Sequence, residues 1–96
     1  MLIIQTLDTT LGVNFSHPHN DSGKRATICH IYKDINGEWA KDPLAVGQTV
    51  CSKKDNFSKA VGRKKALERA LLENKKLFSR RVREIIWEAY WKVCQR

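Results

Sequence analysis

The chain has no long apolar run. Its uninterrupted hydrophobic stretches are a few residues each, against the roughly 20 that a membrane-spanning helix requires. It has no CxxC pair, and its three cysteines, Cys29, Cys51 and Cys94, are an odd count. That argues against a disulfide framework and fits a reducing compartment, with Cys29 and Cys51 serving as small buried apolar side chains. It has no glycine-rich loop to cradle a phosphate, because Gly12, Gly23, Gly37, Gly47 and Gly62 stand apart. Its acids are scattered singly. No third group is therefore placed to orient His17, His19 or His30 as a base, or Cys29 or Cys51 as a nucleophile, and no enzyme is expected. Met1-Leu2-Ile3-Ile4 offers neither the basic segment nor the apolar core of a signal peptide, so an intracellular, cytoplasmic location is expected. No internal repeat or low-complexity tract is present.

A metal site is not expected either. Zinc takes four nitrogen or sulfur ligands, usually from two close pairs. His17-Pro18-His19 and Cys29-His30 are close in sequence, but neighbours on a strand point to opposite faces, so Cys29 and His30 cannot readily share one ion. No cofactor is implied.

What is present suits one folded domain of 96 residues, with 42% hydrophobic and 29% charged residues. The net charge of +8 is unevenly distributed. Up to Val50, four Lys/Arg face five acids, giving −1; from Cys51 onward fourteen face five, giving +9. Residues 1–51 form a strand-rich half and residues 52–96 a basic helical half. A basic half on a neutral one is what a phosphate backbone or an acidic protein surface would attract.

In the first half, Leu2 to Leu7 reads as a strand followed by a turn at Gly12, and Asn14 to Lys24 collects loop residues. Ala26 to Tyr32 is a β-branched run leading into Asn36-Gly37, the dipeptide of a type I′ turn. Glu38 to Lys41 is the returning strand, stopped by Asp42-Pro43, and Ala45 to Cys51 is a further strand. The expectation is a small antiparallel meander of three to four strands.

In the second half, Ser52-Lys53-Lys54-Asp55 has capping-box spacing. Phe57, Ala60, Val61, Leu67, Leu71 and Leu72 share one side of a helical wheel, with Lys64 and Glu68 in the same sector. Gly62 inside this helix costs about 1 kcal/mol against Ala; close packing on the sheet or close approach of a partner would explain it. Asn74 is a helix C-terminus, although 73–79 could also remain helical. Phe78, Val82, Ile85, Ile86, Ala89 and Val93 define the apolar face of a second helix, and Trp87 falls opposite Phe78 with Arg80, Arg83, Trp91 and Cys94 around it. The fold class is α+β: a sheet followed by two C-terminal helices.

Two Trp and two Arg on a face expected to see water mark a binding surface. Arginine recognises phosphate or carboxylate with a planar fork, and tryptophan supplies stacking area. The candidate binding residues are Arg80, Arg83, Trp87 and Trp91, continued by Lys59, Arg63 and Arg69. The alternative is that the strand layer or a second copy covers the tryptophans; a Trp87/Trp91 face could pair with itself across a two-fold axis.

Two resemblances bear on this. Strands followed by Ser52-Lys53-Lys54 and then Gly62-Arg63-Lys64-Lys65-Ala66-Leu67-Glu68-Arg69-Ala70-Leu71 are similar to the last part of a double-stranded-RNA-binding domain, where a Lys pair at the final helix grips phosphates. The leading helix of that family is missing, the Lys-Lys-Ala run lies well inside the helix, and a second long helix follows, so its RNA-contact residues are not carried over. The stretch Asp55-x-Phe57-x-Lys59-x-x-Gly62-Arg63-x-x-Ala66-Leu67-x-Arg69-Ala70-Leu71, 17 of the 96 residues, resembles a pattern in small phage and prophage accessory proteins that have a preceding β-meander. That resemblance implies an accessory factor, of the kind that blocks host nuclease or CRISPR defences. The expected function is non-enzymatic inhibition or modulation of a host nucleic-acid machine, with a host nuclease, CRISPR-type protein or ribonucleoprotein as partner. The alternative is direct, largely sequence-nonspecific binding of DNA or RNA. Neither involves a membrane.

Overall fold

The computed structural model describes residues 1–6, 9–18, 25–50 and 59–94. It is an α+β fold: a five-stranded antiparallel sheet with two C-terminal helices on one face. The strands are β1 (Leu2–Gln5), β2 (Thr10–Ser16), β3 (Ala26–Ile35), β4 (Glu38–Trp39) and β5 (Ala45–Val50). The helices are α1 (Lys59–Glu73) and α2 (Arg80–Cys94).

The sheet is a meander built on β3. β2 lies along one edge of β3 and pairs outward to β1; β4 and then β5 follow one another along the other edge. The Lys33 and Ile31 carbonyls accept from the Ala40 and Leu44 amides, at 3.0 and 2.7 Å, as the chain passes from β4 to β5. Asn36 and Gly37 have φ of 53° and 86°, the positive pair that a type I′ hairpin requires and that Asn-Gly supplies at little cost.

Three sequence expectations change here. Gly12 is not a turn but sits within β2, paired with Ile3 and Tyr32. The reversal comes earlier, between Thr6 and Thr9, where the Thr6 amide and hydroxyl both donate to the Thr9 carbonyl. Asn14 to Ser16, read as loop, complete β2, and Phe15 of this segment packs against the core. Glu38 to Lys41 shortens to Glu38–Trp39. Cys51, the Ser52 capping box and Phe57 lie outside the described residues.

Register assigns the two faces of the sheet. Leu2, Ile4, Leu11, Val13, Phe15, Cys29, Ile31 and Ala45 point to the helices and make up most of the sheet's share of the core. α1 crosses β5 and β3 at backbone contact. A Cβ at Gly47 would collide with the Ala66 carbonyl oxygen and the Ala70 backbone, and one at Gly62 would collide with the Thr27 hydroxyl. Of the two readings of Gly62, close packing on the sheet is the one observed. The buried face of α1 is accordingly Gly62, Ala66, Leu67, Ala70 and Leu71. Ala60, Val61 and Leu72 of the expected face are exposed. Three small residues bring the helix in so closely that the facing direction swings toward them.

α1 ends where Asn74 Nδ2 donates to the Ala70 carbonyl at 2.7 Å, and turns at 74–77 separate the helices. Ser79 caps α2, its hydroxyl accepting from the Val82 amide at 3.3 Å. α2 buries Ile86 and Tyr90, with Val82, Ile85, Trp87 and Ala89 partly buried around them. Phe78 is buried but precedes the helix, and Val93 is exposed. No helix among the described residues is long and apolar enough to cross a membrane.

Gly47→Ala should lower stability by about 1–3 kcal/mol, the usual cost of overpacking a tight contact. A thermal melt followed by circular dichroism would show a midpoint drop of about 4 °C or more; an unchanged midpoint would mean that α1 does not sit on β5 at backbone distance.

Candidate functional site

The helices diverge enough on their outer side to leave a groove of about 560 Å³. α1 lines it with Lys64, Glu68, Leu71 and Leu72, successive positions along one helical edge. α2 contributes Arg80, Arg83, Glu84, Trp87 and Trp91. The i, i+3 and i, i+4 spacings of the helix bring these side chains into one line.

The aromatic part is a packed cluster. Trp87 and Trp91 stack with ring centroids 6.0 Å apart and planes 23° apart. Tyr90 meets Trp87 edge-on at 5.8 Å and Trp91 at 5.4 Å, and its other side approaches Phe15 of β2 at 6.1 Å. The cluster therefore runs from the core to the surface. Tyr90 is buried, Trp87 half-buried, and Trp91 42% exposed. Lys64 Nζ lies 5.6 Å from the Trp91 ring centroid, a cation–π contact that spans the groove.

The charged part is placed against local helix physics. α2 has no acid in its first turn and instead begins Arg80-Arg81, with Arg83 close behind. Cations there oppose the helix dipole, at a cost of about 0.3–1 kcal/mol each. Glu84 offsets this in part, pairing with Arg80 at 3.4 Å and Arg81 at 3.7 Å. All three side chains are more than half exposed, so these pairs hold Arg80 loosely. Arg83 is half-buried, and its Nε is shielded from solvent with no hydrogen-bond acceptor among the described residues. That leaves one guanidinium donor unmet, which is unfavourable unless an acceptor enters the groove.

Of the seven residues expected from sequence, Arg80, Arg83, Trp87 and Trp91 come together. Arg63 does not join them. It is half-buried beside a separate cavity of about 650 Å³, with His17, Phe15 and Tyr90 also on its wall. Arg69 is exposed and turned toward the sheet, its Nη1 donating to the Gln48 carbonyl at 2.9 Å. Lys59 opens α1, and its side chain lies outside the described residues. The groove instead gains Lys64, Glu68 and Glu84. Trp87 was expected opposite the buried face, measured from Phe78. Because Phe78 lies before the helix and the core direction passes between Ile86 and Tyr90, Trp87 and Arg83 fall on the border of the core.

The described histidines and cysteine are dispersed. Cys29 is fully buried beneath the helices, while His30 is on the opposite face, stacked with Tyr32 at 6.2 Å. His17 Nδ1 lies 3.1 Å from the Thr27 hydroxyl. Among the described residues no cluster of His, Cys, Asp or Glu could hold a metal ion; His19 and Cys51 lie outside them, as does the side chain of Cys94.

Comparison with protein-family models, with curated proteins and with solved structures finds no match for this chain. The site is therefore read from its own geometry.

Burial pushes the Cys29 thiol up from 9.0 to about 12. Since the folded value exceeds the unfolded one, the neutral buried thiol stabilises the fold below pH ~9, and that contribution is lost as pH rises from there toward ~12. Native protein treated with iodoacetamide at mildly alkaline pH should leave Cys29 unlabelled in peptide mass spectrometry until denaturant is added. Rapid native labelling would contradict its enclosed position.

Proposed function

We propose that the chain is a non-enzymatic binding protein of phage type. Its interhelical groove docks on a nucleic-acid machine in the host cytoplasm and inhibits or modulates it, as an anti-CRISPR or anti-defence protein does. The observation that carries the docking is the stacked Trp87–Trp91 pair set among Arg80, Arg83 and Lys64, with Glu68 and Glu84 in the same groove. Tryptophan and arginine in a partly enclosed site are the usual anchors of a protein interface. The two glutamates favour a protein surface, since a bare phosphate backbone would be repelled by them while a protein surface can offer matching charges of both signs. The phage assignment rests on the likeness of Asp55–Leu71 to small phage accessory proteins.

The second reading is direct, sequence-nonspecific binding of DNA or RNA. It is favoured by the charge of the helical layer: residues 59–94 carry eleven Lys/Arg against four Glu, a net +7. Such a surface releases counterions from phosphates and weakens steeply with salt.

Fluorescence anisotropy of labelled single- and double-stranded DNA and RNA, at low and moderate salt, separates the two. Docking on a protein predicts weak or absent binding to bare nucleic acid, together with inhibition of cleavage by purified CRISPR nuclease ribonucleoproteins. Trp91→Ala and the double change Arg80→Ala/Arg83→Ala should each weaken inhibition at least ~10-fold, the scale of a lost interface anchor. Arg69→Ala, whose guanidinium is held by Gln48, should leave inhibition unchanged. Tight, salt-sensitive binding to bare nucleic acid that depends on the same groove residues would transfer the assignment to the second reading.

A further inference from the structure

Both helices cover one face of the sheet. The other face carries Ile3, Ile28, His30, Tyr32, Val46 and Val50, and among the described residues no helix packs on it. Ile3 is 62% exposed, Val46 40% and Val50 46%. Strand residues of this kind normally alternate with charged ones when they face water. Here the alternation yields only uncharged partners: Gln5, Asn14, Ser16 and Gln48 share the face. Among the described strand residues that point this way, Asp34 is the lone charge, at the end where Trp39 pairs with it. Met1 and Trp39 lie over Gly12 and extend the apolar surface toward that end.

We infer that this uncharged sheet face is the contact between two copies of the chain. Electrostatics select a second copy as the occupant. An acidic protein or an anionic lipid surface would be drawn to the +7 helical layer, and this face offers either of them no charge to recognise. A second copy of a chain with net charge +8 must instead keep its helices away from those of the first. Packing sheet on sheet does that. Each helix layer lies roughly 10 Å beyond its own sheet and the two sheets would be roughly 10 Å apart, so the basic layers end some 30 Å from each other, against a screening length of about 8 Å at physiological salt. Pairing through the Trp87/Trp91 groove would press the two basic layers together.

The area is sufficient. The 29 residues of the five strands, at about 3.4 Å rise and about 4.8 Å spacing, give roughly 470 Å² of plane per copy. Two copies bury about 1,000 Å² before side-chain relief is added, the lower bound for a specific interface. The inference does not depend on what the groove binds.

The test is sedimentation velocity of the full chain from about 1 µM to about 200 µM, a range that spans weak self-association. The 11.1 kDa monomer should convert to a species of twice that mass. Higher salt should favour the conversion, because it screens like charges and leaves apolar contact intact. Val46→Lys and Ile3→Lys change outward-facing positions and should leave the thermal midpoint within a few degrees. Each should raise the dissociation constant at least ~10-fold. Trp91→Ala should leave it unchanged. A wild-type chain that stays monomeric across the range would overturn the inference. So would a dimer that survives Val46→Lys and is lost with Trp91→Ala.

Discussion

The backbone-to-backbone approach of α1 to the sheet is the constraint on which the rest depends. Gly47 removes the one side chain that would stand between β5 and the Ala66–Ala70 segment of α1, and Gly62 does the same over Thr27. With three small residues along its contact line, α1 has one position on the sheet rather than a range of them. That position turns Lys64, Glu68 and Leu72 toward α2 and sends Arg69 to the carbonyl of Gln48. The groove is thus an indirect product of two glycines outside it.

α2 is fixed differently, by one aromatic column. Phe15 of β2, then Tyr90, then the Trp87–Trp91 stack make a continuous ring-to-ring path from the core to solvent. A half-buried Trp87 anchored on Tyr90 is held in one orientation, so a partner that docked there would immobilise it at little further entropic cost. The arginines at the start of α2 cost some helix stability, because their charge opposes the helix dipole.

Much of the fold was legible in the sequence, and the failures have physical causes. The Asn36-Gly37 turn, the flanking strands and the two helices were carried by local chemistry that tertiary contacts did not override. β2 was missed because Gly12 and Asn14, both turn formers, interrupt Thr10 to Ser16; the period-2 alternation of Leu11, Val13 and Phe15 was the stronger signal. The buried face of α1 was misread because a wheel scored on large apolar residues favours Val61 and Leu72, whereas close packing selects Gly62, Ala66 and Ala70. Arg80, Arg83, Trp87 and Trp91 were found as a group because they lie on one helix, where spacing alone sets proximity. Arg63 and Arg69 could not be sorted from them, since that required knowing how α1 is rotated against α2. Tyr90 was available three residues after Trp87, hidden by treating the tryptophans as opposite the core.

The segregation of charge across the thickness of the molecule has a consequence of its own. Of the described residues, those up to Val50 carry three Lys/Arg against three acids, while residues 59–94 carry a net +7. A single copy is therefore a permanent electric dipole whose axis runs through the sheet toward the helices. In the field of any large anionic body it experiences a torque before it makes a contact. It arrives helices first, with the sheet face inferred to take a second copy turned outward, away from the surface it has approached.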